Sequence, residues 1–219
     1  MRKKPYVIAG IPAYNEEKTI AKVVILTKKY VDKVIVVDDG SEDMTAEIAR
    51  ALGAEVIKHK ENMGYGAALR TMFHKAREEN ADILVILDAD GQHDPREIPR
   101  LIEPIMRGEA DIVVGSRFLG RTDVRKYRAL GVKMITKATN ILAGTNLSDA
   151  QSGFRAYGRK AIQLIRPTDD GMGVSVEILV QAMDEKLRIK EVPIIIRLSL
   201  IHISEPTRPR LISYAVFCL

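Results

Sequence analysis

Strand-like and helix-like segments alternate as far as Arg117, which predicts an α/β fold: a Rossmann-like, mostly parallel sheet with helices on both faces. Two of the strand-like runs, Val34-Ile35-Val36-Val37 and Ile83-Leu84-Val85-Ile86-Leu87, are apolar at every position, as expected where helices cover both faces of a sheet. Polar turns follow three of the strands at once, and in such a sheet the strand ends form one ligand crevice.

The elements follow in order. Residues 6–11 form a β-branched strand, and residues 16–30 a helix with Ile20, Val23, Val24 and Thr27 at helical spacing. Strands at 33–37, 55–57, 83–87 and 111–114 then alternate with helices at 42–52, 66–79 and 95–107. Pro99 and Pro104 weaken the last of these helices, because an interior proline removes a hydrogen bond and crowds the preceding turn. Beyond Arg117 come a basic helical stretch at 124–142, a strand at 153–157, a helix at 174–186 and a strand-like run at 192–196.

A chain of 219 residues with 46% hydrophobic content supports one domain that buries about 70% of its unfolded surface. The net charge of +5 invites a polyanion, but aromatic residues make up 5% and tryptophan is absent, so the stacking platform of a nucleic-acid binder is missing. The one cysteine, Cys218, excludes a disulfide framework and a thiolate metal site, which suits a cytoplasmic setting. No run approaches the roughly 20 apolar residues that span a bilayer, and the basic start leads straight into a strand, unlike a signal peptide. Residues 198–219 resemble the in-frame translation of a sequencing-library adapter and are set aside as non-native. The domain is therefore assigned to residues 1–197, and the natural chain is expected to continue past Arg197.

Three polar clusters carry the chemistry: Pro12-Ala13-Tyr14-Asn15-Glu16, Asp38-Asp39-Gly40-Ser41 and Asp88-Ala89-Asp90. If the chain stays extended past Leu87, the Asp88 and Asp90 carboxylates face one side and repel unless a cation lies between them. Mg²⁺ or Mn²⁺ takes oxygen ligands from one or two carboxylates and from substrate phosphates, and Gln92 can add a neutral oxygen. The Asp38 to Ser41 cluster also reads as a turn, with Ser41 as N-cap of the next helix.

Together with Asn62-Met63-Gly64-Tyr65-Gly66, Asp88-Ala89-Asp90-Gly91-Gln92-His93, Gly115-Ser116-Arg117 and Gln151-Ser152-Gly153-Phe154-Arg155, these clusters resemble, in order and spacing, the dolichyl-phosphate mannosyltransferases and their prokaryotic relatives, which are family 2 glycosyltransferases of the GT-A fold. The resemblance implies that Pro12, Tyr14 and Glu16 hold the nucleoside, that Asp38 or Asp39 contacts base or ribose, and that Asp88 and Ala89 line the nucleotide-sugar. It implies a metal set of Asp88, Asp90 and Gln92, with Asp90 catalytic. Arg117 and Arg128 would face the acceptor phosphate, since a guanidinium fork matches phosphate oxygens. For Arg128 a solvated face is the competing reading, because Arg121, Arg125, Lys126, Lys133 and Lys137 make the whole stretch basic. Val132 stands where some relatives carry Ser, which puts one acceptor contact in doubt. Asp149, Ser152 and Arg155 would border the transferred sugar, with Glu177 a weaker candidate, although Ser152-Gly153 also reads as a tight turn.

The activity so implied is transfer of a hexose from GDP-mannose or a UDP-hexose to a polyprenyl phosphate, with inversion, by a protein peripheral at the inner face of the membrane. A phosphate acceptor is largely dianionic at neutral pH and needs no general base, whereas a sugar hydroxyl would require one, such as Asp149. Leu87-Asp88-Ala89-Asp90-Gly91 also resembles the nucleophile loop of haloacid-dehalogenase phosphatases, but there the loop follows the first strand. Gly64-Tyr65-Gly66-Ala67-Ala68-Leu69 falls short of a dinucleotide fingerprint because Leu69 replaces the third glycine. The remaining alternative is a protein that binds the donor and transfers nothing.

Overall fold

A computed structural model describes residues 4–119, 135–137, 139–141 and 144–195. The elements are β1 (Val7–Ala13), α1 (Ile20–Thr27), β2 (Lys33–Asp38), α2 (Thr45–Ala51), β3 (Glu55–Lys58), α3 (Tyr65–Glu78), β4 (Ile83–Ile86), a 3₁₀ turn (Pro95–Glu97), α4 (Ile98–Met106), β5 (Ile112–Ser116), β6 (Arg155–Gly158), α5 (Arg159–Leu164), α6 (Val174–Asp184) and β7 (Ile189–Pro193). The seven strands form one sheet in the order β3-β2-β1-β4-β6-β5-β7.

Alternate strand residues enter two cores, as the two-residue strand period requires. Ala9, Ile11, Val36, Val85 and Leu87 pack under α1, α2 and α4, while Ile8, Ile35, Val37, Leu84 and Ile86 pack under α3, α5 and α6. On the second face Phe73 meets Tyr157 edge to face, with ring centroids 4.8 Å apart.

Two features of the topology place the site. Parallel pairing of β2, β1 and β4 brings their carboxyl ends to one edge, with Ala13 opposite Asp38 and Gly10 opposite Ile86. β6 runs antiparallel between β4 and β5, with Arg155 opposite both Ile86 and Val114, so the residues just before β6 arrive at that same edge. Simple strand-helix alternation had not foreseen this reversed strand.

Other differences are local. The first two helices begin at Ile20 and Thr45, later than the expected 16 and 42, because the intervening residues tie the two loops together. Asn15, with φ of 54°, donates its N–H to the Ser41 hydroxyl and accepts the Glu42 N–H on its side chain; Glu16 N–H reaches the Thr45 hydroxyl. Ser41 is therefore not the N-cap; the Asp43 carboxylate takes the Thr45 N–H instead. Pro104 is tolerated inside α4, and Pro99 sits in its first turn, where no N–H is needed. The last strand lies at Ile189–Pro193, with Ile112 to Ser116 as parallel partners, three residues before the apolar run at 192–196. Residues 198–219, together with Arg121, Arg125, Lys126, Arg128, Val132 and Lys133, lie outside the described residues.

Candidate active site

The crevice at the strand ends gathers Pro12, Tyr14, Glu16, Asp38, Asp39, Asp88, Ala89, Asp90 and Gln92, expected on the donor and metal side, together with Arg117, expected to face the acceptor phosphate. Tyr14 is 40% exposed, Pro12 is half-buried, and Glu16 accepts the Thr19 hydroxyl at 2.6 Å. Asp38 is buried: one carboxylate oxygen takes the Ser41 N–H at 3.1 Å and the other lies 3.4 Å from the Lys58 ammonium. Asp39 binds the next loop, accepting Met63 N–H at 3.0 Å, Gly64 N–H at 2.8 Å and a 2.7 Å contact from His59. Both aspartates thus shape the crevice wall from within it.

Past Leu87 the chain does not stay extended. Residues 89 and 90 turn, and Asp90 accepts the Gln92 N–H at 2.9 Å, so the two carboxylates are presented by a loop instead of a strand. Burial pushes the Asp88 carboxyl up to about 6, opposed by the charge of Arg117. His93 is buried and pushed down to about 4 by the same desolvation, with the charge of Asp90 pulling the other way. It is therefore neutral at pH 7, and its 3.4 Å approach to Asp88 is no ion pair. Its Nδ1 accepts the Asp88 N–H at 3.3 Å, which places the proton on Nε2, and its ring stacks on Phe154 at 5.1 Å.

These residues fit a hard divalent cation. A desolvated carboxylate with a raised pKa gains from a nearby cation, and Asp88, Asp90 and Gln92 offer oxygen donors from one loop. Among the described residues no group of three His, Cys, Asp or Glu could hold a metal alone. A metal here would need substrate oxygens to complete its shell, the usual habit of Mg²⁺ beside phosphates.

On the other side of β6 the structure reassigns several expected roles. Arg117 meets Asp149 fork to fork, Nε to Oδ2 and Nη2 to Oδ1, each at 2.6 Å, and its backbone N–H reaches the same carboxylate at 3.0 Å. Burial lowers the Arg117 pKa, but the Asp149 contact outweighs it and the net shift is upward. Asp149 is buried, so its carboxylate serves as partner to Arg117 and is not placed as a general base. Arg155, expected to border the transferred sugar, is 2% exposed and donates to the carbonyls of Ser152, Ser175 and Ala150, so it holds the turn before β6. Ser152 is buried in that turn, and Glu177 accepts from Thr168 and Asp169, fastening the loop before α6. That loop docks on α3: Gly66 N–H donates to the Asp170 carbonyl at 2.8 Å, and a Cβ on Gly66 would lie 2.0 Å from the Asp169 carbonyl oxygen. Asp169 and Asp170 thus belong to the α3 contact.

Sequence reasoning passed over Tyr65, His93, Gly153 and Glu191. The first three stood inside quoted motifs, while Glu191, next to Lys190 just before the apolar run at 192–196, carried no signal of its own.

A sheet of this order with an acidic turn at its central edge defines a nucleotide-sugar transferase fold, and the chain belongs to glycosyltransferase family 2: the model for "Glycosyl transferase family 2" matches residues 9–166. Among relatives, a UDP-N-acetylglucosamine–dolichyl-phosphate N-acetylglucosaminyltransferase of Methanococcus voltae is 38% identical, with 84% of this chain and 82% of that protein covered. An undecaprenyl-phosphate mannosyltransferase of Micrococcus luteus is 34% identical, covering 86% and 82%. Among solved structures, glucosyl-3-phosphoglycerate synthase of Mycobacterium tuberculosis in complex with Mn²⁺, UDP-glucose and phosphoglyceric acid superposes with a TM-score of 0.71 at 25% identity, covering 95% and 74%.

Proposed function

We propose that this chain transfers a hexose from a nucleoside-diphosphate sugar to the phosphate of a polyprenyl phosphate, inverting the anomeric carbon. The observation that carries this reading is the pairing of the buried Asp149 carboxylate with Arg117. Among the described residues it leaves no placed general base on the acceptor side, which suits an acceptor that is already a dianion and attacks unaided. Two relatives act, by name, on dolichyl and undecaprenyl phosphates, which supports the same acceptor class here.

In this reading Pro12, Tyr14 and Glu16 line the nucleoside end, and Asp38 and Asp39 shape its wall. Asp88, Asp90 and Gln92 would hold Mg²⁺ or Mn²⁺, as the Mn²⁺ in the solved relative supports. That cation would stabilise the charge leaving on the diphosphate. Arg117, whose charge acts on Asp88, stands between the donor and acceptor sides and orients the incoming phosphate. Among the described residues no helix is long and apolar enough to cross a membrane, so access to a lipid acceptor is assigned to peripheral association through the basic stretch at 124–142. Residues 198–219 are assigned no part in the activity.

The test is incubation with GDP-mannose, UDP-glucose or UDP-N-acetylglucosamine, Mn²⁺ and a polyprenyl phosphate, with mass spectrometry of the lipid and NMR of the anomeric proton. A lipid-phosphate hexose of inverted configuration is expected with one donor. Glycosylation of 3-phosphoglycerate alone, or retention of configuration, overturns the proposal.

A further inference from the structure

β7 brings a carboxylate behind the Arg117 pair. Glu191 accepts the Ser148 N–H at 2.7 Å on Oε2, and the Ser148 hydroxyl and the Asp149 N–H, each at 3.0 Å, on Oε1. Proton counting fixes the direction of the rest. The single hydroxyl proton of Ser148 points at Glu191, so across their 2.6 Å contact the Ser116 hydroxyl donates to Ser148. Ser116 then accepts the Phe118 N–H at 3.2 Å. Ser116 and Arg117 are therefore fastened to Ser148 and Asp149, Phe118 is fastened to Ser116, and Ser148 and Asp149 are fastened to Glu191.

We propose that Glu191 is a positioning residue that sets the Arg117 guanidinium through Asp149. This rests on the reading that Arg117 orients the acceptor phosphate. Three elements distant in sequence meet here: the end of β5, the turn before β6, and β7, whose register with β5 places Glu191 opposite Val114. The Asp149 carboxylate is aimed by its own backbone, and that backbone is held by Glu191. An ångström of drift in a group that aligns substrates costs on the order of a hundredfold in rate, so the clasp bears on transfer although Glu191 touches no substrate. Glu191→Gln keeps the shape and replaces one acceptor oxygen by an NH₂ group, which opposes a donor on Ser148 or Asp149.

The experiment uses the full chain and reads Arg117 directly. In ¹⁵N spectra the Arg117 Nε–H, assigned by its loss in Arg117→Lys, is expected to exchange with water slowly in the parent and at least tenfold faster in Glu191→Gln. UDP or GDP affinity with Mn²⁺ should stay within twofold, while kcat for transfer falls tenfold or more. Introduced into Arg117→Lys, Glu191→Gln should cost less than twofold, because the residue it positions is already gone. Unchanged Nε–H exchange, or a full cost of Glu191→Gln in the Arg117→Lys background, overturns the proposal. Should Glu191→Gln not fold, Ser148→Ala, which removes one link of the clasp, must show the faster exchange for the proposal to stand. If the parent transfers nothing to a polyprenyl phosphate, the functional reading fails, and the exchange measurement still decides the role of Glu191.

Discussion

Gly153 lies against Asp88 so closely that a Cβ on it would come within 3.0 Å of one carboxylate oxygen and 3.1 Å of the other. The antiparallel register of β6 on β4 accounts for this, since Arg155 opposite Ile86 brings Gly153 beside Asp88. The Tyr65 hydroxyl approaches the same point, 3.2 Å from it. Gly153→Ala is therefore expected to displace the Asp88 carboxylate by a few tenths of an ångström with the fold intact. Mn²⁺-dependent nucleotide affinity should fall about tenfold, roughly 1.4 kcal/mol, while Tm moves by only a few degrees. Calorimetric titration and thermal unfolding check this, and undiminished affinity would show that Asp88 tolerates the shift.

Arg117→Ala should cost stability as well as activity. It would strand the buried Asp149 charge, and breaking such a pair on one side typically costs about 3–5 kcal/mol. Replacing both partners by apolar residues, as in Arg117→Met with Asp149→Leu, should regain at least half of that loss. Urea unfolding measures both; a double variant no more stable than Arg117→Ala would contradict the assignment of the penalty to Asp149.

β1, β2 and β4 and the polar turns at their ends were legible because each announces itself locally: an apolar run of four or five residues, then Tyr-Asn-Glu, Asp-Asp-Gly or Asp-Ala-Asp. What the sequence concealed depends on pairing across distance. The resemblance implied that Arg155 borders the transferred sugar, yet the reversed β6 turns it inward onto three carbonyls. Asp149 looked like a base because it is a carboxylate near the site, and only the fold reveals that Arg117, 32 residues earlier, fills it. Family resemblance singled out these residues and left open what each touches.

Glu79 gives a pH-dependent test of the opposite end of the sheet. Its carboxylate contacts Lys33 at 2.5 Å, the Tyr6 hydroxyl at 2.9 Å and Lys75 at 3.3 Å. Burial alone would raise its pKa, but hydrogen bonds from Lys33, Tyr6 and Lys75 outweigh this and hold it below the usual carboxylate range. A carboxyl depressed in the folded state stabilises the protein above its unfolded pKa, near 4.5, and loses that contribution as pH falls through the folded value. Glu79→Gln is thus expected to lower stability at pH 7 by about 1–3 kcal/mol and to differ progressively less from the parent below pH 4.5. A difference that holds constant from pH 7 to pH 3 would mean that the charge of Glu79 contributes nothing.

Removing the metal should affect the nucleotide and the protein unequally. Because Asp88, Asp90 and Gln92 form no closed cage among the described residues, Mn²⁺ alone is expected to bind weakly and leave Tm nearly unchanged. With UDP or GDP present, the diphosphate supplies the missing oxygens, and at a hundred times Kd the pair should add about 2.7 kcal/mol, or roughly 5–10 °C for a chain of this size. Excess chelator should cancel that gain and abolish transfer. Asp90→Ala should do the same with the metal present, since it removes a carboxylate that the diphosphate cannot replace. If Mn²⁺ alone shifts Tm as far as Mn²⁺ with nucleotide, the site is a preformed metal centre; if nucleotide protects equally in chelator, Asp88 and Asp90 bind the donor without a cation. Either result overturns the assignment of these two carboxylates to a metal shared with the substrate.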